Sequence, residues 1–276
     1  MLLSFVILTY NSENFIYRCI KSICESIPKN MGKEIFVVDN GSSDNTCTVL
    51  RELSKEVKLF RLEKNYGTTY SRNIALKECT GDFVVVMDSD IMIRNLQWGH
   101  ILCAFHEGIG LVAPRLYLPD GSIQQSVKKF PRFHWRLKKL LKIFLGIQVI
   151  DNELYPDLET IRYPDIAISA FWVLRREALN AVGLLDEHIF YSPEDVDYCV
   201  RLWKKGFAIS YVREGNILHH TQRITHKNPI SFIAFTFVLN FIYYFLKHDY
   251  FFSTGKLDRL KAQVLRVIDT PRADTA

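Results

Sequence analysis

Four short apolar runs, each breaking off into polar residues, constrain this chain more than any other feature. They are Leu2 to Leu8, Glu34 to Val38, Lys58 to Leu62 and Phe83 to Met87. Near-continuous apolar runs of this length are those of strands covered on both faces. Helix signals lie between them. Asn11 or Ser12 is placed to cap a helix running to about Ile27, before Pro28; a second spans Asn45 to Leu53; a third follows the turn in "NYGTTYSRNIALKEC". Strand and helix in alternation imply a mostly parallel central sheet flanked by helices. Ligands in such sheets bind beyond the carboxyl ends of the strands. The polar clusters fall there: Thr9, Tyr10 and Asn11; Asp39 to Asp44; Asn65 to Gly67; and Asp88, Ser89 and Asp90.

The last of these clusters is the most pointed, because "VVVMDSD" sets two carboxylates one residue apart at the end of a buried strand. A divalent cation would offset the repulsion between them, and hard oxygen ligands suit Mg²⁺ or Mn²⁺. A strand ending in a capped turn is the plain structural alternative. Neither G-x-G-x-x-G nor G-x-x-x-x-G-K-[ST] occurs, which disfavours a dinucleotide fold or a P-loop.

Taken in order, "FVILTYNSENFIYRCIKSI", "IFVVDNGSSDNT", "NYGTTYSRN" and "VVVMDSD" resemble the family 2 glycosyltransferases. The segment from "WVLRREALNAVGLLDEHIFYSPEDVDYCVRLWKKG" to "NILHH" resembles that family's acceptor side, and the likeness covers roughly residues 1 to 250. It implies the GT-A fold, which is Rossmann-like with a mostly parallel central sheet flanked by helices, here with a C-terminal helical extension. It also implies a domain over 1–225, divided into a nucleotide-sugar half (1–114) and an acceptor half (115–225), with a helical segment over 226–276. The implied activity is inverting transfer of a sugar, as in bacterial rhamnosyl- and galactosyltransferases of surface polysaccharides. The donor it implies is a nucleotide-sugar and the acceptor a hydroxyl of a glycan, lipid-linked glycans included. Asp39 is expected to bind the donor's base, with an Asx turn as the structural alternative. Thr9, Tyr10, Asn11, Asn65, Gly67, Arg72 and Ser89 join it in the donor site. Asp88 and Asp90 would hold Mn²⁺ or Mg²⁺ against the diphosphate, with His219 or His220 beside them; counting residues from either flank gives different answers for the histidine.

Asp195 is implied as the general base, and Glu194 as an acceptor-binding or orienting group. Their helical setting has another explanation, since acids in a first turn complement the helix dipole. One departure from the family pattern is Ser169-Ala170 where many relatives have Gly-Ala, which bears on the shape of the acceptor pocket.

Charge adds a membrane theme. The net charge is +5, yet residues 121–150 hold seven Lys or Arg and no Asp or Glu, so the rest is net negative. A single basic block argues against a nucleic-acid coat and for a local anionic contact such as lipid headgroups. Leu137, Leu140, Leu141 and Phe144 recur at helical spacing opposite Arg136, Lys139 and Lys142, as in a basic interfacial helix. Ile230 to Leu246 is uncharged and about as long as the shortest membrane span. Its polar stripe, Thr236, Asn240, Tyr243 or Tyr244, and Lys247, favours a helix packed on the domain or dipped into the interface. Peripheral contact through 128–147 and 230–252 is therefore expected, on the cytoplasmic face of the plasma membrane. The six scattered cysteines form no C-x-x-C pair and read as reduced thiols.

Two competing functions remain. A non-catalytic nucleotide-sugar or glycan-binding module would keep Asp39 and the D-x-D while losing the base, and here Asp195 is present. A sugar-phosphate nucleotidyltransferase needs a Gly-rich basic N-terminal loop, which "LTYNSENF" is not.

Overall fold

The four apolar runs form β1 (Leu2–Thr9), β2 (Gly32–Asp39), β3 (Lys58–Arg61) and β4 (Phe83–Asp88) of the computed structural model. The structure describes residues 1–136, 138, 151–221, 232–251 and 253–269. β1, β2, β3 and β4 pair in parallel, and α1 (Ile16–Ser26), α2 (Thr46–Glu52) and α3 (Thr68–Glu78) are the crossovers between them. Six further strands follow: β5 (Ile91–Asn95), β6 (Ile109–Tyr117), β7 (Val127–Lys128), β8 (Ile166–Ala167), β9 (Phe171–Arg175) and β10 (Ala208–His219). The main sheet has eight strands in the order β3-β2-β1-β4-β9-β6-β10-β5, and β7 pairs only with β8. β9 enters antiparallel between β4 and β6, and β5 closes the far edge antiparallel to β10.

Burial explains why the runs lack alternation. Val84, Val85 and Val86 are enclosed, with Val6 beside Val86 on one side and Trp172 on the other. Each such side chain contributes about 1.5–3 kcal/mol on leaving water. The helices α4 (Trp98–Cys103), α5 (Arg176–Val182) and α6 (Glu194–Lys204) pack around the sheet, followed by α7 (Phe232–His248) and α8 (Gly255–Asp269).

Two local expectations are corrected. Neither Asn11 nor Ser12 caps α1 through its side chain; the helix starts at Ile16, and the Ser12 carbonyl accepts the N–H groups of Phe15 (2.9 Å) and Ile16 (3.0 Å). Asn11 instead adopts a left-handed φ of 49° and its carboxamide oxygen accepts the Ser43 N–H at 2.9 Å, so its polar group serves the neighbouring loop.

The polar stripe of α7 faces protein. Asn240 and Tyr244 are buried, and Lys247 donates to Asp186 (2.5 Å) and Asp197 (2.6 Å). Leu239, Ile242 and Leu246 are exposed on the same helix. No helix among the described residues is long and apolar enough to cross a membrane. The basic amphipathic segment through Leu137, Lys139, Leu140, Leu141, Lys142 and Phe144 lies outside the described residues, apart from Arg136 at its start.

Candidate active site

Strand register alone brings the sequence-flagged carboxylates to one edge. β1 pairs Thr9 with Asp39 on one side and Leu8 with Asp88 on the other, so both acids emerge beside the end of β1. Antiparallel pairing of β10 with β5 sets His219 opposite Ile91, directly after Asp90. One ligand atom from each of Asp88, Asp90 and His219 lies within 4.8 Å of the others.

The loops beyond these strands are stitched together by polar side chains. Asn11 N–H donates to Ser42 Oγ at 2.9 Å, and Ser12 and Ser89 share a hydroxyl hydrogen bond of 2.8 Å. The Asn40 amide donates to Asn65 Oδ1 (3.0 Å) and to the Gly67 carbonyl (3.2 Å), while its oxygen accepts from Tyr66 N–H and Ser71 Oγ, each at 2.9 Å. Asn65 Oδ1 also accepts the Gly67 N–H at 2.9 Å. Asp39 is fully buried; its carboxylate accepts from Ser42 N–H (3.3 Å) and from the Cys47 thiol (2.9 Å). Asp44 accepts the Glu13 N–H from the adjoining loop and the Thr46 N–H at the start of α2.

A cleft of about 400 Å³ opens above this edge. Tyr10, Ser12, Asn65, Gly67, Arg72, Asp88, Ser89 and Asp90 line it from the first half of the chain; Ser169, Tyr191, Glu194, Asp195 and His219 line it from the second. Arg72, only 1% exposed, joins the two sets. Its guanidinium donates to Asp88 Oδ1 at 2.5 Å and to Ser169 Oγ at 2.8 Å, and stands 3.7 Å from Glu194 Oε1. The Ser169 hydroxyl in turn donates a hydrogen bond to Glu194 Oε1 at 2.9 Å. Asp195 Oδ1 accepts the Val196 N–H at 2.8 Å.

A tight backbone seam fixes the second set against the first. A side chain on Gly67, at φ +85°, would place its Cβ 2.2 Å from the Phe190 carbonyl oxygen, so only glycine fits there. The same oxygen accepts the Thr68 N–H at 2.6 Å, the Thr69 hydroxyl donates to the Ile189 carbonyl at 2.6 Å, and Asn73 exchanges hydrogen bonds with Leu185.

The electrostatics are those of an acid-rich hollow. Burial, and then the charge of Asp195, push the Glu194 carboxyl well above the usual carboxylate range, against the pull of Arg72. Burial also raises Asp195, with the charges of Lys128 and Arg136 opposing it. Burial disfavours the charged form of His219, but its contact with Asp90 (Nε2 to Oδ1, 3.3 Å) more than compensates and raises its pKa. The other nitrogen of that ring, Nδ1, lies 2.8 Å from Gln124 Oε1, which orients the imidazole. Two carboxylates and an imidazole in reach of one another form a donor set that fits a divalent cation.

His220 sits elsewhere: its ring packs on Phe15 at 5.1 Å and its N–H donates to the Asp90 carbonyl. Thr9, Asn11, Asp39 and His220 do not line the cleft; they lie beneath or beside its rim. Asn40, Ser12 and Tyr191 also line the cleft without having been singled out for it in the sequence, and so does Ser169, which had drawn notice only as a departure from the family pattern. Asn40 carried a signal, since it adjoins Asp39 in "DNGSSDNT", whereas Tyr191 had none.

Comparison with known proteins gives a consistent family. The model for glycosyl transferase family 2 matches residues 4–183. The chain is 29% identical over 259 residues to N-acetylglucosaminyl-diphospho-decaprenol L-rhamnosyltransferase of Mycobacterium tuberculosis, covering 83% of this chain and 79% of that protein. Its fold is similar to that of S. aureus TarS 1-349, with a TM-score of 0.55 at 22% identity, covering 80% of this chain and 61% of that one. It is also similar to GalNAc-T7 solved with UDP, GalNAc and Mn2+, with a TM-score of 0.68 at 15% identity, covering 96% and 54%.

Proposed function

Since the chain belongs to glycosyl transferase family 2, we propose that it is an inverting, metal-dependent glycosyltransferase that moves one sugar from a nucleotide-sugar to a hydroxyl of a lipid-linked glycan, in cell-surface polysaccharide assembly. The observation that carries this reading is a single cleft bordered both by the Asp88, Asp90 and His219 cluster and by Asp195. Donor recognition falls to residues 1–114 and acceptor recognition to 115–225. L-rhamnose is the first donor sugar to test, because the Mycobacterium tuberculosis relative is named for it.

On this reading Asp88 and Asp90 hold the cation with His219, and His220 serves the fold. A divalent cation held there stabilises charge on the departing nucleoside diphosphate. Arg72 holds Asp88 in place and ties it to the acceptor side through Ser169. Asp39 is assigned to the ring N–H of the donor's base; its carboxylate is buried against Ser42 and Cys47, so the base reaches it only as the loop after β2 gives way. Asp195 takes the acceptor proton: Oδ1 is committed to Val196, which leaves Oδ2 for the incoming hydroxyl. Its raised pKa makes it a stronger base than an exposed aspartate. Glu194, held up by burial, orients the acceptor with Ser169. One in-line displacement inverts the anomeric carbon, and no carboxylate is needed as a covalent nucleophile. The outward residues Leu239, Ile242 and Leu246 of α7, with the basic block of 121–150, support peripheral contact with an anionic membrane face.

The test is thermal unfolding with UDP, dTDP and GDP, each with and without Mn²⁺, since a ligand of the native state raises its stability. A shift by one nucleotide that requires metal and vanishes in Asp90→Ala is expected. No shift with any nucleotide would overturn the donor site, and a product retaining the donor's anomeric configuration would overturn the single displacement.

A further inference from the structure

Asp195 and Ser192 border a second, smaller pocket, whose lining includes none of Asp88, Asp90 and His219. It measures about 180 Å³ and is lined by Lys128, Lys129, Arg136, Glu153 and Phe241 besides Asp195 and Ser192. Its cations are held by packing rather than left trailing. Lys128 is half-buried on β7, opposite Ile166 of β8. Lys129 stands over the Tyr155 ring at 5.7 Å. Arg136 lies 4.4 Å from the centre of the Phe241 ring and pairs with the fully buried Glu153 at 2.7 Å. Three cations therefore converge where two carboxylates, Glu153 and Asp195, answer them.

The donor does not account for these charges. Its diphosphate is assigned to the acid-rich cluster, and none of Lys128, Lys129 and Arg136 lines the donor cleft. What enters beside Asp195 from the other side is the acceptor, because the hydroxyl it activates must attack from the face opposite the leaving group. Lysine and arginine together are the side chains that take phosphate oxygens.

We infer that the Lys128, Lys129 and Arg136 pocket is an acceptor subsite that binds a phosphate or diphosphate carried by the acceptor, and so holds the acceptor hydroxyl against Asp195. This rests on the reading of Asp195 as the base. The shared chemistry is the anionic phosphate, whether it belongs to a lipid carrier or to a phosphorylated sugar. An acceptor recognised in this way is selected by its charged end before its hydroxyl is tested by the base.

The two sites can be separated by metal. With a chelator present, the Asp88 and Asp90 cluster repels diphosphates, so any affinity for them must come from elsewhere. Calorimetric titration of the full chain in EDTA with geranyl diphosphate, geraniol and inorganic pyrophosphate is the experiment. Expected is binding of geranyl diphosphate but not geraniol, weakened about tenfold or more in Lys128→Ala and in Lys129→Gln, the loss of one charge-assisted hydrogen bond, and unchanged in Asp90→Ala. Pyrophosphate binding as tightly as geranyl diphosphate would support a phosphate source without lipid; tighter binding of geranyl diphosphate would support a lipid carrier. Absence of metal-independent diphosphate binding, or its equal loss in Asp90→Ala, would overturn the subsite. Failure of the transferase reading shows itself differently, as a missing metal-dependent nucleotide shift.

Discussion

Glu194 and Asp195 open helix α6 toward the cleft, while Asp197, about 200° round the helix from Asp195, turns to a different set of partners. Those partners are the cations Arg201 and Lys247 and the His248 imidazole, which burial holds toward its neutral form. Asp197 receives Arg201 Nε at 2.8 Å, Lys247 Nζ at 2.6 Å and His248 Nε2 at 2.9 Å, and Asp186 beside it takes Lys247 at 2.5 Å and the Tyr243 hydroxyl at 2.8 Å. Hydrogen bonds to these partners hold both carboxyls below the usual range despite their burial. The cleft reverses the balance: Arg72 faces Asp88 and Glu194, His219 faces Asp90, and the charges of Lys128 and Arg136 reach Asp195, yet burial outweighs them at Asp88, Glu194 and Asp195. There the raised carboxyls are Asp88, Glu194 and Asp195. The two groups of acids thus differ in which effect wins, hydrogen-bonded partners or burial. Where partners win, on the saturated side, the acids hold α7 onto the domain; where burial wins, on the deficient side, they line the cleft.

Breaking the deficient side should affect turnover most. Asp90→Ala is expected to lower kcat/KM by roughly 10³-fold, the scale of several kcal/mol of charge stabilisation at the leaving group. The unfolding temperature without metal should hold or rise, and a fall of many degrees would mean that Asp90 is scaffold. Asp195→Asn should lower kcat by about 10²- to 10⁴-fold while nucleotide binding, followed by the metal-dependent shift, stays intact; a normal kcat would remove Asp195 from the reaction.

On the saturated side the signature is stability. Asp197→Asn leaves Lys247, His248 and Arg201 facing a neutral group and should cost about 3 kcal/mol in denaturant unfolding, with nucleotide binding retained. Near-zero cost would show that the network contributes nothing net. Its pH dependence follows from the lowered pKa values. The ion pairs contribute fully above about pH 4 and are lost as the pH falls toward the folded-state values of Asp186 and Asp197. Hydrogen exchange in acid should therefore show α7 loosening before the β1–β4 core, and uniform loosening would contradict this.

The smallest effect has the opposite sign. Glu194 is held up, so its contribution is present below the ordinary glutamate pKa and is lost as the pH rises. Glu194→Gln should match the parent at about pH 4 and exceed it by about 1 kcal/mol above neutrality in the metal-free protein. Equal stability across the range would mean that Arg72 already neutralises this carboxylate.

The first half of the fold was legible because its information is local. Each parallel strand is an unbroken apolar run, and each loop that follows is polar. The later strands were harder to see: β9 and β10 are built into segments whose motifs read as acceptor-side chemistry, and β7 and β8 are two residues each. The cleft divides in the same way. Asp88 and Asp90 announce themselves by spacing, but the choice between His219 and His220 depends on the register of β10 on β5, which no count of residues supplies. Ser169 was noticed as a departure from the family pattern, and its place between Arg72 and Glu194 came only with the contact. Asn11 misled because a residue suited to capping also tolerates a left-handed turn, and loop-to-loop bonding claimed it.

The seam between Gly67 and Phe190 has a consequence for how such enzymes diversify. Acceptor preference can change by altering residues around Asp195, but the segment 185–192 that delivers Asp195 is moulded onto the backbone of residues 67–73. A chimera that grafts the second half of one relative onto the first half of another would therefore inherit a mismatched joint unless both strips travel together. Natural recombination faces the same restriction. If residues 115–225 bind the acceptor as proposed, point substitution within them, rather than exchange of whole halves, is the route to new specificity that this architecture leaves open.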